Sequence, residues 1–303
     1  MSIKIIKKGL SDSIQDNGRY GYQHLGIQPS GCMDYLSAWL ANKILGNQLN
    51  NPVFELHFPS SQLLFENDYT ICITGANFVP LINEKSVELN TPIQVYKNDV
   101  LSMLQPIEGR TCNVAINGNL NGKLWLGSHS YSKQTLEKDD QLNFSEINLQ
   151  NDISPYLIKS LIQDIKQNVF DYHQPIRFIP GPAWDYLTDS SITTLIKSDF
   201  KITSQANRMG FNLIGNKLDL CVPNNFLSSA VTRGTLQLLP NGEIIVLMAD
   251  HQTIGGYANI GQIILVDLPR FAQFKTGQSF QFELTSIEKA NQLYRNIYEK
   301  FQH

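Results

Sequence analysis

The segment Ala249-Asp250-His251-Gln252-Thr253-Ile254-Gly255-Gly256-Tyr257 gathers a carboxylate, an imidazole, an amide, two hydroxyls and a glycine pair. Carboxylates and imidazoles move protons, amides and hydroxyls hold carbonyl and N–H groups, and glycines let a ligand approach the backbone. The segment joins two apolar runs, Glu243 to Met248 and Gln262 to Val266. That pattern predicts two rigid strands flanking a polar loop, either a hairpin with a roomy turn or a ligand-approach loop. A matching stretch runs from Asp16-Asn17-Gly18-Arg19-Tyr20-Gly21 through His24 to Pro29-Ser30-Gly31-Cys32-Met33-Asp34.

Each polar residue in these stretches has a chemical and a structural reading. Arg19 offers a planar fork for a carboxylate, or one half of a structural ion pair. His24 titrates near neutrality, so it suits a proton relay or a satisfied structural contact. Asp34 precedes an apolar-periodic run, as a helix cap or a proton carrier. Glu55 sits among apolar neighbours in Val53-Phe54-Glu55-Leu56, so it must be paired, protonated or functional. Arg208, in Asn207-Arg208-Met209-Gly210, is a second guanidinium. With Gln237, Asp250, Gln252, Thr253, Tyr257 and the backbone of Gly255 and Gly256, it would suit a small polar substrate carrying carbonyl and amide groups.

Other chemistries are excluded by spacing. Gly118-Asn119-Leu120-Asn121-Gly122-Lys123-Leu124 has three residues between its glycines where a phosphate-binding loop needs four, and Leu124 where Ser or Thr would meet magnesium. Dinucleotide, serine-hydrolase and zinc-protease patterns are missing, and the six histidines are scattered, so no metal site is predicted. Four distant cysteines read as reduced thiols in the cytoplasm. Net charge is -3 and no Lys/Arg cluster occurs, which argues against a nucleic-acid or membrane surface. The N-terminus has no signal-like apolar region, and no run is long enough to span a bilayer.

The elements that must position these residues are mostly short strands: 61–65, 70–74, 93–96, 100–104 and 112–116, punctuated by Asn, Asp and Gly turns. Such density predicts a mainly β fold of barrels or sandwiches with few helices. Asp34 is expected to cap a helix reaching Leu45, with Gly46 as its stop. Ser154-Pro155 opens a second, and 190–196 forms a short third. Thr285-Ser286-Ile287-Glu288 is a capping-box pattern for a last helix reaching Phe301. A strand-poor stretch from Lys133 to Gln174 divides the chain into halves, 1–150 and 151–303.

The blocks Gln15 to Tyr22, Gly26 to Asp34, Thr74-Gly75-Ala76, Asn207 to Phe211, Gly234-Thr235-Leu236-Gln237 with Pro240-Asn241-Gly242, and Asp250 to Tyr257 stand in the order of one known family. The chain resembles the biotin-dependent carboxyltransferase-like family, also called allophanate hydrolase subunit 2 or KipA. The resemblance implies a pair of cyclophilin-like β-barrels and half of a composite active site. Stand-alone members are usually the C subunit of 5-oxoprolinase, which implies a cytoplasmic, ATP-hydrolysing complex with a KipI-like B subunit and the 5-oxoprolinase A subunit. ATP would be used by the complex without clear binding to this chain. Under this reading Asp34, Glu55 and Asp250 handle protons. Arg19, His24, Arg208, Gln237, Gln252, Thr253, Gly255, Gly256 and Tyr257 bind substrate. The alternatives are a carboxyltransferase component of a urea carboxylase, where biotin enters, and a KipA-type regulator of a kinase inhibitor. His251 replaces a usual Arg, Ala258-Asn259 a usual Pro-Lys, and Asn117-Gly118-Asn119 a usual Gly-Gly pair.

Overall fold

Alternation of buried and solvent-facing residues organises the first N-terminal sheet, whereas the strands Val53–Leu56 and Glu108–Ile116 of the second are buried along most of their length. β1 (Ser2–Lys7) buries Ile3 and Ile5 and turns its lysines outward, the period of a half-buried strand. The computed structural model describes residues 1–130, 135–145, 154–223 and 226–302. The chain divides into two compact units, one of residues 1–19 and 30–164, the other of 20–29 and 165–303. The boundary expected at 150/151 lies outside the described residues. No sequence signal marks 20–29 as part of the C-terminal unit.

In the first unit, one sheet is built around β1. It contains β4 (Gln62–Phe65), β6 (Pro80–Ile82), β7 (Lys85–Ser86), β9 (Val100–Met103), β11 (Asn119–Leu120) and β12 (Gln141–Ser145), in the order β11-β12-β1-β4-β9-β6-β7. A second sheet runs β2-β3-β10-β5-β8, from β2 (Ser13–Gln15), β3 (Val53–Leu56), β5 (Tyr69–Asn77), β8 (Pro92–Val95) and β10 (Glu108–Ile116). Phe54, Phe65, Ile71, Phe78, Val114 and Phe144 share one core. Helix α1 (Tyr35–Ile44) packs on β5 and β10, and Gly46, at φ 70°, follows its end.

The second unit has one large sheet. Its order is β21-β14-β15-β18-β17-β20-β13-β22. The strands are β13 (Ile176–Pro180), β14 (Phe200–Ile202), β15 (Gly210–Ile214), β17 (Thr235–Leu238), β18 (Ile244–Leu247), β20 (Ala258–Ile263), β21 (Ser279–Phe280) and β22 (Phe282–Leu284). The two edge strands are neighbours in the chain, with only Gln281 between them. One continuous segment thus pairs with both ends of the sheet and brings it close to a closed barrel. Phe200, Phe271, Phe274, Phe280 and Phe282 pack ring on ring inside, with centroids 5.1–6.1 Å apart. A small ladder joins β16 (Ser229–Ala230) to β19 (Ile254–Gly255).

The fold is mainly β, as expected, with α2 (Pro155–Asn168), α3 (Asp189–Lys197), α4 (Leu268–Ala272) and α5 (Ile287–Gln302) beside the sheets. Three details differ from the sequence reading. The runs 243–248 and 262–266 do not form a hairpin, because β17, buried along its whole length, lies between β18 and β20 and bonds to both. The second run also starts earlier, at Ala258, and gives way to a 3-10 turn over Leu265–Asp267. The cap of α5 is shifted by one residue: Ser286 Oγ accepts the N–H of Lys289 at 3.2 Å.

Candidate functional site

The polar segment 248–257 is fastened to the turn 207–210. The Met248 N–H donates to Met209 O at 3.0 Å and the Asp250 N–H to Arg208 O at 2.7 Å. The side chains repeat the tie. Arg208 donates through Nε to Asp250 Oδ2 at 2.8 Å and through an Nη to Oδ1 at 3.0 Å. This bidentate pair is largely buried, with side-chain exposures of 15% and 6%. Asp250 thus serves as the counter-ion of the Arg208 fork, and the Nε edge of that fork is committed to it. From the segment 20–29, Gln28 donates to Asp250 O at 2.7 Å.

A row of side-chain amides crosses the sheet beside this pair. Gln252 donates to Gln237 Oε1 at 3.3 Å, Gln237 to Asn259 Oδ1 at 3.0 Å, and Asn259 to Ser229 Oγ at 3.1 Å. A register shift between Leu236 and Gln237 sets Gln237 opposite Asn259. A bulge of this kind re-aims a side chain that a regular ladder would leave elsewhere. Gln237 is 0% exposed. Gly255 closes over it: a Cβ there would lie within 3.0 Å of Gln237 Nε2, so only glycine fits. Gly256 has room, its nearest neighbour being Ser228 Oγ at 3.4 Å from such a Cβ. Thr253 is buried and its carbonyl accepts the Val231 N–H at 3.2 Å. Tyr257 and His24 lie exposed.

His251 is buried and donates from Nδ1 to Gln252 O at 2.5 Å. Burial lowers its pKa, against a smaller opposing effect of that hydrogen bond, and nearby Arg233 lowers it further. It stands neutral at pH 7, so it does not replace the positive charge of the usual arginine.

The other expected residues lie in the first unit. Asp34 caps α1: its carboxylate accepts from the Ser37 N–H at 3.0 Å and the Ser37 hydroxyl at 2.6 Å. Glu55, 0% exposed, accepts the Met33 N–H at 2.6 Å. These contacts give both carboxylates structural duties at the start of α1. Arg19 is 3% exposed, with its guanidinium 4.4 Å from the Trp125 ring centroid and Nε donating to Trp125 O at 3.4 Å. Asp16 ties its loop together, accepting from the Gly18 N–H, the Ser128 and Ser130 hydroxyls and the His129 N–H at 2.6–2.7 Å.

The structure therefore brings together Arg208, Asp250, Gln237, Gln252, Thr253, Gly255 and Gly256 in the second unit. Arg19, Asp34 and Glu55 fall in the first. Sequence reasoning missed Asn259, Ser229 and Gln28. Asn259 was visible only as a departure from the usual residue, and nothing in sequence spacing signals a cross-strand partner. Among the described residues no group of three or more His, Cys, Asp and Glu is placed to hold a metal ion. Gly118–Leu124 does not fit a nucleotide phosphate. Gly118 is small because Ser145 O lies 2.9 Å from where its Cβ would be, and a bridge between Trp125 and Ser128 follows in place of a helix. No helix among the described residues is long and apolar enough to cross a membrane.

Comparison with known proteins bears on the family and the fold. The chain is 28% identical to the C subunit of 5-oxoprolinase from Escherichia coli strain K12, over 95% of its own length and 93% of the relative's. It is 30% identical to the C subunit of 5-oxoprolinase from Haemophilus influenzae, over 93% and 91%. Its fold is similar to part of the crystal structure of Kluyveromyces lactis urea amidolyase, with a TM-score of 0.87 at 24% identity, covering 99% of this chain and only 20% of that one. The sequence profile of the carboxyltransferase domain, subdomain A and B, matches residues 25–284. The chain belongs to the family of carboxyltransferase domains built from subdomains A and B.

Proposed function

We propose that this chain is the C subunit of an ATP-dependent 5-oxoprolinase, supplying part of a composite site that opens 5-oxoproline to glutamate. The observation that carries the reading is the amide row from Gln252 through the buried Gln237, over which Gly255 closes, in a chain similar to 5-oxoprolinase C subunits along almost their whole length. A lactam presents one carbonyl and one N–H on the same side, and amides are the side chains that match both. Resonance makes an unactivated lactam slow to hydrolyse. In the complex, ATP hydrolysis supplies the activation.

This chain's own residues bind and orient. Gln252 and Thr253 hold the amide edge, with the backbone of Gly255 and Gly256 facing the carbonyl. The Arg208–Asp250 pair locks the loop that carries them, and Arg208 contributes positive charge near a substrate carboxylate. Asp34 and Glu55 organise the first unit's helix start, and Arg19 is held against Trp125. The partners are a KipI-like B subunit and the 5-oxoprolinase A subunit.

The test is reconstitution of the purified chain with both partners and measurement of glutamate release from 5-oxoproline with and without ATP. ATP-dependent release that disappears when this chain is left out supports the reading. Release that persists without it rejects the reading. The likeness to urea amidolyase favours a second reading, a carboxyltransferase component acting with biotin. An assembled complex that is silent on 5-oxoproline but consumes carboxybiotin would establish that alternative. Silence on both, with tight binding to the KipI-like partner, would leave the regulatory role.

A further inference from the structure

The amide row has a direction. Each amide gives its N–H to the next oxygen, from Gln252 through Gln237 and Asn259 to Ser229. A primary amide carries its donor and acceptor as separate arms of one planar fork. With an N–H of Gln252 spent on Gln237, its carbonyl oxygen is left for another partner. Gln252 is half-buried, whereas Gln237 is wholly buried behind Gly255. No protein group among the described residues donates to Gln252 Oε1.

We propose that Gln252 Oε1 accepts the N–H of a cyclic amide or ureido substrate, and that Gln237 and Asn259 are positioning residues that hold the acceptor, and not the donor, toward it. This rests on the amide-binding reading above and adds which atom of the substrate is read. It also gives Asn259 a duty: a lysine there could not accept from Gln237, so the row would lose its direction at the middle. A site built to hydrogen-bond a donor rejects an isostere that replaces N–H by oxygen, because two acceptors then face each other.

The experiment uses the assembled complex without ATP and measures binding by calorimetry for two matched pairs. One pair is 5-oxoproline and its lactone counterpart. The other is ethyleneurea and ethylene carbonate. The native complex is expected to prefer the N–H member of at least one pair by tenfold or more. Gln252→Leu, at a half-exposed position that the core does not need, is expected to bring that ratio to about one. Asn259→Leu should lower the ratio several-fold. Asn259→Asp still accepts from Gln237 and should keep it, a rescue that a merely structural role does not predict. Equal binding within both pairs, preference for the oxygen members, or no binding of either pair overturns the proposal. Preference confined to the ureido pair sustains it while rejecting 5-oxoproline as the substrate. Glutamate release from the same preparation reports separately on the 5-oxoprolinase reading.

Discussion

Gly255→Ala is the sharpest test of the amide row. The backbone at Gly255 is an ordinary strand, so alanine costs nothing in φ and the whole effect comes from space. The new Cβ would lie within 3.0 Å of Gln237 Nε2 and 3.3 Å from both Gln237 Cδ and Val231 Cγ1. To reach normal contact the amide must retreat by roughly 1 Å. It cannot do so and still hold Asn259 at 3.0 Å and Gln252 at 3.3 Å. Leaving a buried amide unpaired costs about 1–3 kcal/mol, and overpacking adds a similar amount, about 1–3 kcal/mol. A loss of about 2–6 kcal/mol should lower Tm by roughly 4–24 °C for a unit of this size. Calorimetry on Gly255→Ala, Gln237→Ala and the double variant closes a cycle. Removing the Gln237 side chain removes the clash, so the double variant should recover about 1–3 kcal/mol relative to additivity. An unchanged Tm in Gly255→Ala, or strict additivity in the cycle, would refute the idea that this glycine exists to make room for Gln237.

Asp250→Asn should cost about 3 kcal/mol in urea unfolding, because the Arg208 charge loses its bidentate counter-ion in a largely buried site; a change under about 1 kcal/mol would mean that water reaches the pair. Asp34→Ala should cost about 1–2 kcal/mol through loss of the α1 cap, and Asp34→Asn much less, with circular dichroism melts as the readout. Burial pushes Asp12 up to about 6, against backbone hydrogen bonds from His57 and Ser61 that favour its ionised form. Its native form therefore holds a proton that the unfolded chain has released, and its contribution to stability falls as pH rises from about 4 to about 6. A carboxyl NMR titration should find its midpoint near 6, and a midpoint near the ordinary 3.8 would rule this out. His251 works in the other direction. With its pKa lowered below 6.5, the unfolded chain takes up the proton first, so stability is lost as pH falls below 6.5. His251→Gln should flatten that part of the profile of unfolding midpoint against pH.

Strands and helices were readable because their signals are local. The run Thr70 to Thr74 is mostly β-branched, and Asp34 ahead of Leu36 and Leu40 is a cap followed by a helical stripe. What failed was pairing between distant segments. The runs 243–248 and 262–266 look like hairpin partners because they are close in sequence, but β17 carries buried side chains throughout and lies between β18 and β20. The site was legible as a set of residue types and illegible as a set of contacts. Gln237, Gln252 and Gly255 stood out by composition. Asn259 joins them only through a one-residue bulge, which leaves no trace in periodicity. Arg208 and Asp250 were both marked as chemical groups, yet their neutralisation of each other depends on two loops 42 residues apart.

The assignment of residues 20–29 to the C-terminal unit has a consequence for how the polypeptide comes into being. During synthesis Gln28 leaves the ribosome 222 residues ahead of Asp250, whose carbonyl it will bind. The first unit has all of its own sequence once residue 164 has emerged, carrying 20–29 as an excursion still waiting for its partners. For the same reason no single cut yields two self-sufficient pieces. A gene fragment starting at 165 would encode the large phenylalanine-filled barrel without the strand of chain that steadies its polar loop, so the halves are not interchangeable cassettes.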